Sequence, residues 1–413
     1  MGAIGSPHQH PSSQLNILML APTMFFADYG CHVRILEEAL ILRQMGHRVT
    51  ILAYPNGRDV AGLDVRRCWG VPFNYRVIVG SSRHKIYLDV MLAIKALGHV
   101  LRDRPHIIHA HLHEGGLLGW MLSRLTGAPL VFDFQGSLTG EMIDHHFLSG
   151  PHSRAYRPLR WLEQQIDHAA PVVLTSTQHA ARLLATEFGV PGNRIHPLPD
   201  CVNADAFSPE VLTPPEKDAL RRALGIPLSR PLFVYLGLLT EYQGIGLLLE
   251  AAREVLTGGA DFHLLVMGFP HEGYQARAAA LGLSERVTFT GRVAYEEAPR
   301  YLALGDFAVA PKVSATEGSG KLLNYMSMAL PILAFDLPVS REYLGDAGIY
   351  VRDVSAHALA DGMTTLLAMP ADARREIGDR LRERACTYYS WKRAGTQLVD
   401  LYHQLRQQHG DHP

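Results

Sequence analysis

Two stretches of this chain, about half its length apart, each read as strand, glycine-bearing loop and helix, and this constrains the fold more than any other feature. Residues 15–21 form a short apolar run, the loop 22–30 closes on Gly30, and a helical pattern over 32–45 stops at Gly46 before apolar character resumes at 49–53. The pattern returns with Leu232-Phe233-Val234-Tyr235-Leu236, the loop 238–244 and an apolar helix over 245–255. Strands apolar on both faces and separated by helix-length segments belong to parallel sheets covered on both sides. The expected class is therefore α/β, with two doubly wound Rossmann-like domains facing each other across a cleft and ligands held at the carboxyl ends of the strands. Further strands are expected at 106–110, 130–134, 172–175, 262–267, 287–290, 307–310 and 332–335, with late helices at 371–386 and 391–407. The expected organisation is a flexible tail at 1–14, a domain at 15–208, a Pro- and charge-rich connection at 209–230, a second domain at 231–390, and a C-terminal helix at 391–413 packing back toward the first domain.

Composition removes several alternatives. A chain of 413 residues with 47% hydrophobic and 19% charged residues is too apolar for disorder, yet it has no apolar run of the roughly 18 residues needed to span a bilayer. With 39 Lys+Arg against 40 Asp+Glu, no overall field favours nucleic acid, and no nucleic-acid partner is expected. Cys31, Cys68, Cys201 and Cys386 lack the spacing of a zinc site or redox pair, which suggests buried thiols in a reducing, cytoplasmic setting. The tail residues lack the apolar core of a secretory signal.

The segment 310–326 carries the most chemistry. An apolar strand ends, Lys312 follows, and Gly318-Ser319-Gly320 opens a helix beginning Lys321-Leu322-Leu323-Asn324. Free amides and the positive end of a helix suit a phosphate. Read alone, the segment also fits an ordinary glycine turn with Glu317 facing solvent.

At this point the chain resembles the GT-B retaining glycosyltransferases that carry a Glu-x(7)-Glu motif, the group 1 or family 4-like enzymes. The likeness runs over nearly the whole chain: the Gly30 loop with Gly46-His47-Arg48-Val49, His109-Ala110-His111, Pro197-Leu198-Pro199-Asp200, Arg286-Val287-Thr288-Phe289-Thr290-Gly291, the Glu317 segment with Leu330-Pro331, and Tyr389-Ser390-Trp391. The resemblance implies transfer of a sugar from a nucleoside diphosphate sugar to a hydroxyl acceptor, with retention at the anomeric carbon and with neither cofactor nor metal. It implies that Glu317 contacts the donor sugar and that Gly318, Ser319, Gly320, Lys321 and Leu322 offer amides to the diphosphate. It also places His111 beside the anomeric centre, and Gly30, Gly237 and Gln243 on the donor side. Gln135 stands where many relatives have His, on the acceptor side or as a turn cap.

Three positions depart from the family pattern. Asn324 occupies the place of the second Glu, one residue early, and Leu238 and Gln243 replace an Arg and a Lys aimed at the diphosphate. Lys312 and Lys321, two of only six lysines, flank Glu317 and are expected to replace those cations. The same departures motivate a rival reading, a catalytically silent homologue that binds a sugar nucleotide or a partner glycosyltransferase. A nicotinamide oxidoreductase is disfavoured because loop 21–30 lacks Gly-x-Gly-x-x-Gly. The alternating His109, His111 and His113 followed by Glu114 raise a metal reading, which the family likeness disfavours. Arg154, Arg157, Arg160 and Trp161, with the cluster Arg83-His84-Lys85, suggest either a solvated helix face or peripheral contact with the inner face of the membrane. Oligomeric state is not encoded in any of these features.

Overall fold

The computed structural model describes residues 14–28, 30–70, 85–144, 147–313 and 318–410. Strands β1 (Asn16–Ala21), β2 (Arg48–Ala53), β3 (Asp64–Arg67), β4 (Ile107–His111), β5 (Leu130–Phe134), β6 (Val172–Thr175) and β7 (Ile195–Pro197) form a parallel sheet in the order β3-β2-β1-β4-β5-β6-β7. Strands β8 (Leu232–Leu236), β9 (His263–Met267), β10 (Val287–Gly291), β11 (Phe307–Ala310), β12 (Ile332–Phe335) and β13 (Ile349–Val351) form a second, in the order β10-β9-β8-β11-β12-β13. In both sheets the strand order reverses beside the first strand, which opens a crevice at the carboxyl ends.

Inner strands such as β4, β5, β9 and β11 are buried along their whole length, and apart from His109, His111, Asp133 and His263 their residues are apolar, as burial on both faces favours. One face of the first sheet is covered by Gly30–Gln44 and Trp391–Gly410, whose Ile35, Leu42, Leu398 and Tyr402 share a core with Met19 and Ile51. On the other face, Lys85–Val100, Leu112–Thr126, Tyr156–Ala169 and Gln178–Thr186 bury Leu92, Leu118, Ile166 and Leu184 against Ile108 and Phe132. The second sheet is clothed in the same way, by Ile245–Thr257 with Ala356–Leu367 on one face and by Gly320–Ser327 with Ala371–Tyr388 on the other.

The stretch expected as an interdomain connection is folded. It contains the helix Pro214–Ala223, started by a capping box of Thr213 and Glu216, and it buries Leu212 and Ile226 in the second core. Its prolines mark a helix start rather than a linker. The chain passes between the two units twice, at Asp200–Asn203 and again at Tyr389–Ser390, where the Val202 amide donates to the Tyr389 carbonyl at 2.8 Å. Cys68 and Cys201 are buried as expected, whereas Cys386 is exposed and Cys31 half-buried.

Candidate active site

A cavity of about 360 Å³ lies between the carboxyl ends of the two sheets and is lined from both sides. Glu342 holds the units together by accepting the Gln178 amide at 2.8 Å, and Tyr295 donates its hydroxyl to Glu37 at 2.9 Å.

The wall formed by the second unit is built on the helix Gly320–Ser327. Ser319 is its N-cap but makes no capping bond, and its buried Oγ has no hydrogen-bond partner among the described residues. Lys312 reaches across the turn and donates to the Gly318 carbonyl at 2.8 Å. Lys321 donates to Gln243 Oε1 at 2.8 Å and to the Tyr235 hydroxyl at 3.3 Å, with its amine 4.4 Å from the Tyr235 ring centre. Gln243 therefore receives the very cation expected to replace a lysine at its own position. A Cβ on Gly237, at φ +147°, would come within 2.8 Å of that amine, so this glycine keeps room for Lys321. Gly318 in turn packs against the chain crossing, because a Cβ there would sit 2.5 Å from Asp200 Oδ2.

The wall formed by the first unit is organised by Arg34, which the sequence did not single out. Its guanidinium donates to both oxygens of Asp133 at 2.9 Å, to Asp200 at 3.1 Å, and lies 3.3 Å from Glu38. Asp133 also accepts from Gln135 Nε2 at 2.7 Å and pairs with His111 Nδ1 at 3.0 Å. Burial pushes Asp133 upward, but Arg34 and His111 outweigh it and hold the carboxyl far below its usual range. Glu38 moves the other way, since burial drives it well above the usual range and Arg34 offsets this only in part. Burial likewise raises Asp200. Three carboxylates around one guanidinium thus split into an ionised Asp133 and a Glu38 pushed toward its protonated form.

The structure brings Gly30, Gln135, Gly237, Gln243, Lys312, Gly318, Ser319, Gly320, Lys321 and Asn324 to one cavity. His111 is placed elsewhere. It is fully buried beneath the wall, stacked on His109 at 4.4 Å and fixed by Asp133, while Arg34 and Gln135 reach the surface above it. Leu322 is also buried, and its amide donates to the Ser319 carbonyl at 2.9 Å, which commits it to the helix start. Glu317 lies outside the described residues, as do Arg83 and His84. His113 lines the cavity in His111's stead: burial opposes its charge, but the bond to Asp167 and the nearby Glu163 raise it above its ordinary value. Glu38, His109, His111 and Asp133 have ligand atoms within 4.8 Å of one another, the composition of a metal site, but Arg34 already supplies positive charge to both carboxylates.

Family models for the two halves of a GT-B glycosyltransferase match the two units that form this cleft, and the chain belongs to the group 1, family 4-like glycosyltransferases. Residues 29–201 match the glycosyl transferase 4-like domain, and residues 230–369 match the glycosyl transferases group 1 family. The chain is 27% identical to alpha-D-kanosaminyltransferase of Streptomyces kanamyceticus, over 90% of this chain and 98% of that one. It is 25% identical to D-inositol 3-phosphate glycosyltransferase of Corynebacterium glutamicum, over 90% and 91%. Among solved structures, sucrose-phosphate synthase of Thermosynechococcus elongatus superposes with a TM-score of 0.78 at 19% identity, covering 94% and 99% of the two chains. Anabaena HepE in complex with UDP-glucose superposes with a TM-score of 0.74 at 13% identity, covering 94% and 100%.

Proposed function

We propose that this glycosyltransferase takes its sugar from a nucleoside diphosphate sugar and passes it to a hydroxyl of a glycolipid, polysaccharide or other glycoconjugate precursor, with retention and without a metal. The observation that carries the reading is the wall of Ser319, Gly320 and Lys321, where a helix start and an ammonium line the cavity together. Negative charge develops on the departing diphosphate, and fixed cations and amides that face it need no reorganisation as it forms. Lys321 meets that charge directly. Lys312 acts one step back by holding the Gly318 carbonyl, and so the turn, in place. The neighbour solved with UDP-glucose supports this class of donor.

The acceptor enters past Gln135, whose amide is aimed by Asp133. Its hydroxyl attacks on the face the diphosphate leaves, and a phosphate oxygen takes the proton, so no protein nucleophile is needed. In this reading Glu317 orients the donor sugar. His111 positions the wall through Asp133 and does not touch the sugar. The test is ligand-detected NMR with UDP, GDP, dTDP and ADP sugars, following saturation transfer and release of sugar. Binding with turnover is expected for one base; binding without turnover, even with acceptor extracts added, would favour the silent homologue.

A further inference from the structure

We infer that one face of the first unit is a docking surface for an anionic lipid bilayer, an assignment that stands apart from the transfer reading. The helices Lys85–Val100, Leu112–Thr126 and Tyr156–Ala169 lie side by side on the sheet. The first buries Leu88, Leu92 and Ala96, yet its outer stripe is also apolar: Ile86, Val90, Ile94 and Leu97 are exposed, and Leu101 just beyond it is 70% exposed. The second continues the patch with Leu117, Met121 and Leu125, the last 57% exposed. An amphipathic helix normally turns a polar stripe outward, so two adjacent helices with apolar outer stripes indicate a covered surface.

The charges say what covers it. The three helices contain four acids, and all turn inward. Asp89 accepts from the Tyr54 hydroxyl, Glu114 pairs with Lys85 at the cavity, and Glu163 and Asp167 are fully buried around His113. Their exposed charged residues are Arg124 and Arg157, and Arg102, Arg104 and Arg154 stand exposed at their ends. A face that is apolar at its centre, whose helices expose only positive charges and beside which the exposed Glu187 is neutralised by Arg160 at 2.9 Å, complements anionic headgroups over acyl chains, whereas a second copy of the same face would meet it with like charge. Three of the four tryptophans lie here as well: Trp69, beside Lys95, Trp120 and Trp161 are exposed, while Trp391 is buried. Amphipathic rings suit the interface between water and acyl chain. The first turns of two of these helices also supply Lys85 and Glu114 to the cavity, so docking would hold its acceptor side near the headgroups.

The full chain is tested by co-sedimentation with vesicles of phosphatidylcholine alone and with 30% phosphatidylglycerol. Binding to the anionic vesicles is expected, weakened about fivefold for each of Arg102→Glu and Arg124→Glu, and at least tenfold by Ile94→Glu with Met121→Glu. These positions are exposed, and an unchanged melting temperature verifies the fold. Brominated lipid should quench wild-type tryptophan emission. Absence of binding to anionic vesicles overturns the assignment, as does equal binding to neutral vesicles. A dimer that Ile94→Glu with Met121→Glu dissociates would show that a second copy covers the face. None of these readouts uses sugar transfer, so the docking surface and the proposed activity fail independently.

Discussion

Lys321 is the residue on which the proposed chemistry leans most. Its amine already bridges Gln243 and Tyr235, so it is held in place before a ligand arrives. Lys321→Ala is expected to lower turnover by about 10²-fold, and calorimetry should show nucleoside diphosphate binding weakened more than monophosphate binding. Equal loss for both would remove its role at the diphosphate. Glu38 makes a prediction about pH. Its carboxyl is raised in the fold, so its contribution to stability is fully present below its unfolded value of about 4.5 and is lost as pH rises through the folded value. Glu38→Gln stays neutral throughout, and its melting temperature should gain on wild type between pH 5 and pH 8 by about 2 °C or more; a constant difference would mean that Glu38 ionises normally. The Arg34 centre was hidden at this scale because its partners are remote in sequence, Asp133 by 99 positions and Asp200 by 166. Spacing rules see neighbours on one element, such as the i,i+4 pair Arg34 and Glu38, and a centre assembled from three distant segments forms no motif. Asp133 stands alone in sequence, and only the fold supplies its partners Arg34 and His111.

At the scale of elements, strands buried on both faces were legible because burial leaves mostly apolar residues along their length, with rare exceptions such as Asp133 in β5. Strands β5, β6, β11 and β12 occupy the expected residues. Strands β3, β7 and β13 were not read. Each is an edge strand of three or four residues, half-buried and bearing residues such as Arg66, His196 and Tyr350, so hydrophobic pattern says little about it. Turns announce themselves through glycine, and Gly244 shows the cost of denying one. It stands at φ +78° before Ile245–Thr257, and a Cβ would lie 1.8 Å from the Pro311 carbonyl oxygen. Gly244→Ala is expected to cost about 3 kcal/mol or more, since left-handed strain and a backbone clash act together. Thermal unfolding checks this, and the displaced Pro311 should disturb Lys312 as well. A melting point within 1 °C of wild type would contradict the geometry.

For the whole molecule, the join between the two units is small and specific. Tyr295, on the loop after β10, packs its ring on Phe26 and Phe207, donates its hydroxyl to Glu37, and donates its backbone amide to Asp28 Oδ1 at 3.0 Å. Tyr295→Ala should therefore raise the radius of gyration measured by small-angle X-ray scattering, with a nucleotide sugar reversing part of the increase. An unchanged value would mean that the two crossings alone set the spacing.

The second crossing bears on how the chain acquires its shape during synthesis. Trp391, Leu398 and Tyr402 complete the core of the first sheet, and Tyr402 bonds His109 at 2.6 Å beneath the Arg34 centre. At roughly 10 residues per second, the ribosome delivers these side chains about 20 s after the last strand of that sheet. The half made first must wait, with one face covered only in part by Gly30–Gln44, for the half made last, so a nascent chain offers chaperones their target on its earliest portion.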